Sequence, residues 1–342
     1  MDLSKTDTAS IKGIAILFML WHHQFLNMPE YGMPAQSMAV AFKACVALFL
    51  FVSGYGMTKQ FSGQDHCNAI CLIKFLLHRF INFFFSYWFC FILVTLIGNL
   101  CGITFHDVYP TTRSTLKCIF LDFWGMMGYN SYLHPWWFNK MIIQLYLIFP
   151  FLYVIVSRQF FAWAGLIIII FLQLFAKNIP GNVFFLVEGG VPAFYLGMLS
   201  ARYKVIPSIP QKKWKIIWTV VSAILIVCLF VLHNSVIQTS PYQAILIRAL
   251  LAFLIVLLFS FIGGEHTPVL VFFGKYSAIM YLTHALLIQL IPNIVFFPKY
   301  SFPAFLIFVI ISLLLAIAID RLQKVLRYDK LRLTLIQLVS CS

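Results

Sequence analysis

"IKGIAILFMLWHHQF", residues 11–25, is apolar enough to cross a membrane, yet it opens beside a lysine and carries two histidines near its end. In hydrocarbon an ionisable side chain costs about 3 kcal/mol or more unless it faces a protein interior or a water-filled cavity. A helix that keeps such residues borders a protein interior. The rest of the chain has the same character. Its 342 residues are 62% hydrophobic and 10% charged, with a mean hydropathy of +0.93, and the apolar residues fall in repeated long blocks. That pattern predicts an integral membrane protein. The first block lacks a small-residue cleavage site, and further apolar blocks follow it, so it reads as a retained first span rather than a secretory signal.

Apolar windows separated by polar or Pro/Gly-containing breaks predict an all-α bundle of about ten transmembrane helices. They fall at about residues 11–27, 38–58, 75–98, 137–156, 160–176, 183–200, 214–233, 243–262, 272–291 and 303–320, each near the ~20 residues that cross ~30 Å of hydrocarbon. They form a single membrane domain, followed by a basic tail at 321–342. The longest connection, about residues 99–136, is rich in aromatics and is expected along the outer interface.

The formal charge of +14 raises the question of nucleic acid, and the positions of the charges answer it. With both termini in the cytoplasm, most of the 24 Lys and Arg fall on the inner side. Arg113, Lys117, Lys140, Lys177 and Lys299 fall outside, and Lys43 and Arg248 lie within helices. This asymmetry is what inner-membrane topology produces, so the basic charge needs no nucleic-acid partner. Cys67, Cys71 and His66 lie close together but lack a fourth ligand at metal-site spacing, so no metal is expected. No internal repeat of the kind found in many transporters is present.

The polar groups within the helices have a register. Eleven residues advance a helix by ~1,100°, close to three full turns, so Lys12 and His23 share a face. They are ~16 Å apart along the axis, which puts His23 near mid-membrane if Lys12 marks the inner boundary. His22 is rotated ~100° away. In "FFGKYSAIMYLTHALLIQL", Ser277, Tyr281 and His284 form a stripe, and His284 lies ~13 Å beyond Lys275. A lone membrane histidine reads as a packed side chain bonded to a backbone carbonyl, whereas two at matched depth favour a reaction centre, so His23 and His284 are the catalytic candidates.

Glu188, Lys43 and Arg248 all fall in the outer third. The two cations are able to snorkel to the interface, but Glu188 is too short to do so and points to a polar cavity open to the outside. On the inner side, "KFLLHRFINFFFSYW" puts Arg79 and Ser86 on one face beside Asn82, with Lys59 and Lys74 flanking the same loop. Such a cluster suits phosphates, and equally the anionic lipids that ordinary cytoplasmic lysines meet. A basic inner rim, mid-depth histidines and a polar outer vestibule suit transfer of a group across the membrane.

These motifs resemble the acyltransferase 3 family. Lys12 through His23 has the spacing of its arginine, ten residues, histidine pattern, with lysine in place of arginine. "LFLFVSGYGM" (48–57) resembles its second helix ending in Ser-Gly, and "HPWWFNKMIIQLYLIFPFL" its Trp-Phe helix. "FYLGMLSARY" (194–203) is similar to its Leu-Gly-Met helix end, and "FGKYSAIMYLTHALLI" to its Gly-Lys-x-Ser segment with Tyr-Leu-x-His. Ala47 occupies a place that is acidic in many members.

The resemblance implies a membrane O-acyltransferase of the inner membrane that moves an acyl group, commonly acetyl from acetyl-coenzyme A, to an extracytoplasmic carbohydrate or glycolipid. It assigns Lys12, Arg79, Lys59 and Lys74 to the donor, and Glu188, Arg248 and Trp137 to the acceptor. His23 is then a general base or an acylated relay. The rival reading is a transporter or flippase with a histidine proton relay, which the ordered motifs and the missing repeat disfavour. A non-catalytic scaffold leaves the mid-depth histidines unexplained.

Overall fold

The computed structural model describes residues 2–26, 32–63, 69–109, 115–175, 190–207, 211–237, 240–296 and 301–339. Among them the regular structure is helical throughout. In chain order the helices are α1 (Lys5–Phe25), α2 (Met33–Phe42), α3 (Ala44–Ser62), α4 (Ala69–Leu100), α5 (Phe105–Val108), α6 (Thr115–Phe123), α7 (Trp137–Ser157), α8 (Gln159–Leu174), α9 (Gly190–Tyr203), α10 (Lys212–Val236), α11 (Pro241–Ile262), α12 (Pro268–Leu290), α13 (Pro292–Val295), α14 (Ser301–Val325) and α15 (Tyr328–Val339).

Seven stretches are long and apolar enough to cross a bilayer: 33–62, 70–100, 134–157, 212–236, 242–262, 268–290 and 301–325. The protein is a multi-pass membrane protein. Helix α8 is apolar but shorter, and α1 carries the charged and histidine residues that dilute its hydropathy. Most of the expected window 183–200 overlaps α9, and its first residues lie outside the described ones.

The chain divides into two compact units, Met1–Asp65 with Ile148–Ser277, and His66–Leu147 with Ala278–Ser342. Helices in lipid gain little from apolar contact with one another, so small residues that let backbones touch do much of the packing. The first unit is built this way. A side chain at Gly54 would run into the Phe194 carbonyl, and one at Gly197 into the Phe51 carbonyl, so α3 and α9 are pressed together by reciprocal glycines. The Ser-Gly and Leu-Gly-Met motifs are two sides of one seam. A second seam joins α1 to the first turns of α12, where Gly13 faces the Leu270 backbone and Gly274 faces Ala9.

The start of α1 is fixed by polar bonds. The Ser4 hydroxyl accepts from the Asp7 N–H at 3.0 Å and the Asp7 carboxylate accepts from the Ser4 N–H at 2.8 Å, a capping box. The other Asp7 oxygen takes the Gly264 N–H at 2.7 Å, and the Ser10 and Thr267 hydroxyls meet at 2.7 Å. One short acidic residue therefore caps α1 and ties it to the turn before α12.

The second unit contains most of the connection between α4 and α7. Instead of lying as a surface ribbon, this segment gives Tyr109, Cys118, Tyr132 and Leu133 to a buried core shared with Tyr87, Phe91 and Trp136. Its centre is Asp122, which is fully buried. The Asp122 carboxylate accepts from the Tyr109 hydroxyl at 2.9 Å and the Tyr132 N–H at 2.5 Å, while the Tyr87 hydroxyl donates to the Asp122 backbone carbonyl at 2.5 Å. Burial raises the Asp122 carboxyl above the ordinary carboxylate range, although these bonds pull the other way. The tail continues α14 as far as Val325, turns at Arg327 in the left-handed region (φ 55°), and forms α15.

Candidate active site

In the first unit, α1 carries Lys12 exposed near its start and both histidines in its last turn. His22 is buried, with Nδ1 2.7 Å from the Ala39 carbonyl oxygen on α2. A carbonyl can only accept, so the Nδ1 of His22 bears the proton. His23 is only partly buried, and its ring stands 5.1 Å from that of His22 at 71°. The two neighbours thus divide: His22 ties α1 to α2, and His23 is the one that retains exposure.

His284 belongs to the second unit and is completely buried. Its Nδ1 lies 2.8 Å from the Tyr281 carbonyl oxygen one turn back in α12, so this ring also carries its proton on Nδ1. Around it α12 is latched to the start of α7: the Tyr281 hydroxyl donates to the Pro135 carbonyl at 2.8 Å, and the Trp136 indole N–H donates to the Leu282 carbonyl at 3.0 Å. Trp137, next in sequence, is buried beside Tyr129 at 5.5 Å, and Tyr129 in turn stacks on His134 at 5.4 Å. Of the paired tryptophans, Trp136 holds the helices and Trp137 joins a partly exposed aromatic group.

The basic candidates are distributed between the units. Lys12 and Lys59 are in the first, Lys74 and Arg79 in the second. Lys59 is 2.6 Å from the Asp2 carboxylate, an exposed pair that depresses the Asp2 carboxyl chiefly through this hydrogen bond. Such pairs contribute ~1 kcal/mol or less, so Lys59 is readily released to another anion. Lys74 is half-buried on α4. The Arg79 guanidinium lies 5.5 Å over the Phe75 ring, a cation–π contact that holds it along the helix. Its expected companions turn back on α4: Asn82 donates to the His78 carbonyl at 2.9 Å and Ser86 to the Asn82 carbonyl at 3.3 Å.

Glu188 lies outside the described residues. Arg248 sits on α11 with 9% of its surface exposed, and its Nε–H donates to Nε2 of His233 on α10 at 2.9 Å. The protein, rather than the interface, holds this guanidinium. The sequence reading missed His233, which the helical register places among apolar neighbours near the end of α10, and it missed Asp122, a single acid in an aromatic loop. Among the described residues no three His, Cys, Asp or Glu side chains gather as metal ligands; His66 and Cys67 lie outside those residues.

A family model described as an acyltransferase domain, the acyltransferase 3 type, matches residues 10–321. No curated protein and no solved structure matches the chain.

Proposed function

The chain belongs to the acyltransferase 3 family and is an acyltransferase, and from that premise we propose that it moves acetyl from cytoplasmic acetyl-coenzyme A to a hydroxyl of an extracytoplasmic carbohydrate or glycolipid. We place it in the inner membrane with both termini in the cytoplasm. Adding α1, α8 and α9 to the seven apolar stretches gives ten crossings, and the distribution of Lys and Arg supports that orientation.

The donor phosphates are assigned to Arg79 and Lys12, with Lys59 and Lys74 at the rim. His23 is the base. A neutral imidazole takes the proton of the acceptor hydroxyl as its oxygen attacks the thioester carbonyl. The C–S bond then breaks, and the imidazolium returns the proton to the departing thiolate. His284, without exposed surface, is assigned to holding the centre from behind. Glu188, Arg248 and Trp137 are the acceptor contacts.

The observation that carries the assignment of the base is the difference between the adjacent histidines. His22 is committed to the Ala39 carbonyl, and His23 keeps accessible surface on the face that begins at Lys12.

The test is mass spectrometry of surface glycans from cells with and without the protein, together with sealed vesicles holding acetyl-labelled coenzyme A inside. A gain of one acetyl unit on the glycan, matched by free coenzyme A inside the vesicles, is the expected result. Movement of a solute with no consumption of the donor would replace the enzyme reading with a transporter.

A further inference from the structure

Arg248 and His233 form a buried pair that helix packing alone does not call for. His233 has no exposed surface and Arg248 very little. A guanidinium has no acceptor, so in the 2.9 Å contact Nε–H donates and His233 Nε2 accepts. The imidazole is therefore neutral, protonated on Nδ1, and serves to orient the arginine. With Nε engaged by His233, the guanidinium presents its two terminal NH2 groups end-on, the fork that matches a carboxylate or a phosphate.

A second cation stands nearby. Lys43 lies at the break between α2 and α3, half-buried, and it and Arg248 both act electrostatically on His233 and on buried Cys45. Two cations and a neutral imidazole are thus drawn together in the apolar interior of the first unit. Burying a charge costs several kcal/mol, which an anion in good geometry offsets.

We propose that Arg248, oriented by His233 and seconded by Lys43, forms an anion subsite, so that the acceptor carries a carboxylate or phosphate in addition to the hydroxyl that is acylated. The identity of the occupant rests on the acyltransferase reading. The presence of the subsite does not, and it is tested without any acyl donor.

The same chemistry has two sources, a soluble acidic sugar and a lipid headgroup, and the experiment has an arm for each. The full-length protein in phosphatidylcholine nanodiscs is titrated with glucuronate, glucose 6-phosphate and glucose, with binding read by calorimetry and by thermal unfolding. A parallel sample contains phosphatidylglycerol and no sugar. The expected result is that both acidic sugars bind at least tenfold more tightly than glucose, and that Arg248→Gln removes the difference. His233→Ala should weaken acidic-sugar binding about tenfold, and His233→Gln, which keeps an acceptor for Nε–H, should restore part of it.

Lys43→Gln and Arg248→Lys provide further variants should Arg248→Gln fail to fold, each expected to weaken the acidic sugars and leave glucose unchanged. Equal binding of all three sugars overturns the proposal. So does binding that emerges only in Glu188→Gln, because Arg248 would then have an internal counterion. Stabilisation by phosphatidylglycerol with none by the acidic sugars overturns the acceptor assignment and gives the subsite to lipid. Loss of acyl transfer in any variant, with sugar binding intact, bears on the enzyme reading alone.

Discussion

Nδ1 of His22 lies 2.7 Å from the carbonyl oxygen of Ala39, and this bond decides which of two adjacent histidines is committed to structure. His23→Ala should reduce acyl transfer by about 10²–10⁴-fold, the range of a lost general base, with membrane insertion unchanged. His22→Ala should instead lower stability by about 1–3 kcal/mol, since the Ala39 carbonyl loses its donor. Donor turnover and thermal unfolding, measured on both variants, separate the two. Near-normal transfer by His23→Ala would remove it from the reaction.

Arg79→Ala should weaken acyl-donor binding about tenfold, a charge-assisted contact or two, while leaving acceptor binding alone. Arg79→Lys should recover only part, because an ammonium keeps the charge and loses the fork. Calorimetry with acetyl-coenzyme A on purified protein reads both. Unchanged affinity in both variants would make Arg79 a lipid contact resting on Phe75.

The seam between α3 and α9 predicts a sharp intolerance. Gly54→Ala and Gly197→Ala each drive a methyl group into the backbone carbonyl of the facing helix, so both should cost about 1–3 kcal/mol or more and reduce accumulation in the membrane. Gly63→Ala is the control, because its new methyl group meets only ordinary contacts. Fluorescence-detected size exclusion of the three variants gives the comparison. Normal yield and melting for Gly54→Ala would mean that the helices part easily there.

Asp122 gives a pH test. Burial raises its carboxyl above the ordinary value of 3.8, so in the window between that value and the folded one the folded protein holds more protons than the unfolded chain. Its contribution to stability is greatest below 3.8 and is lost as the pH rises through the folded value. Asp122→Asn, which keeps an acceptor oxygen, should flatten this part of the profile and stay folded. Asp122→Ala leaves the Tyr109 hydroxyl and Tyr132 N–H without their acceptor, at about 1–3 kcal/mol each. Unfolding midpoints from about pH 4 to pH 7 decide it; an identical slope in Asp122→Asn would mean that another group titrates there.

The helices, and the shared face of Lys12 and His23, are legible because a 3.6-residue period and apolar runs are local properties of the chain. The motif glycines are visible in the same way, but their purpose is not. Nothing near Gly54 in sequence names Phe194 as the backbone it touches. His233 and Asp122 escaped for a related reason: a histidine in an apolar helix and an acid in a loop look unremarkable until the fold brings Arg248 to one and three tyrosines to the other. The loop from 99 to 136 was misread as a surface ribbon because its aromatics suit an interface as well as they suit a core.

The contact of Gly13 and Gly274 with facing backbone has a mechanical consequence. Where side chains interlock, helices can slide by changing rotamers; where main chain meets main chain, nothing in between can yield. Helix α1 and the opening turns of α12 therefore travel together as one lever, fastened at its end by Asp7. Any shift that admits a substrate to His23 must find its pivot elsewhere, and within the first unit the pieces free of this clamp are α2 and the break at Lys43.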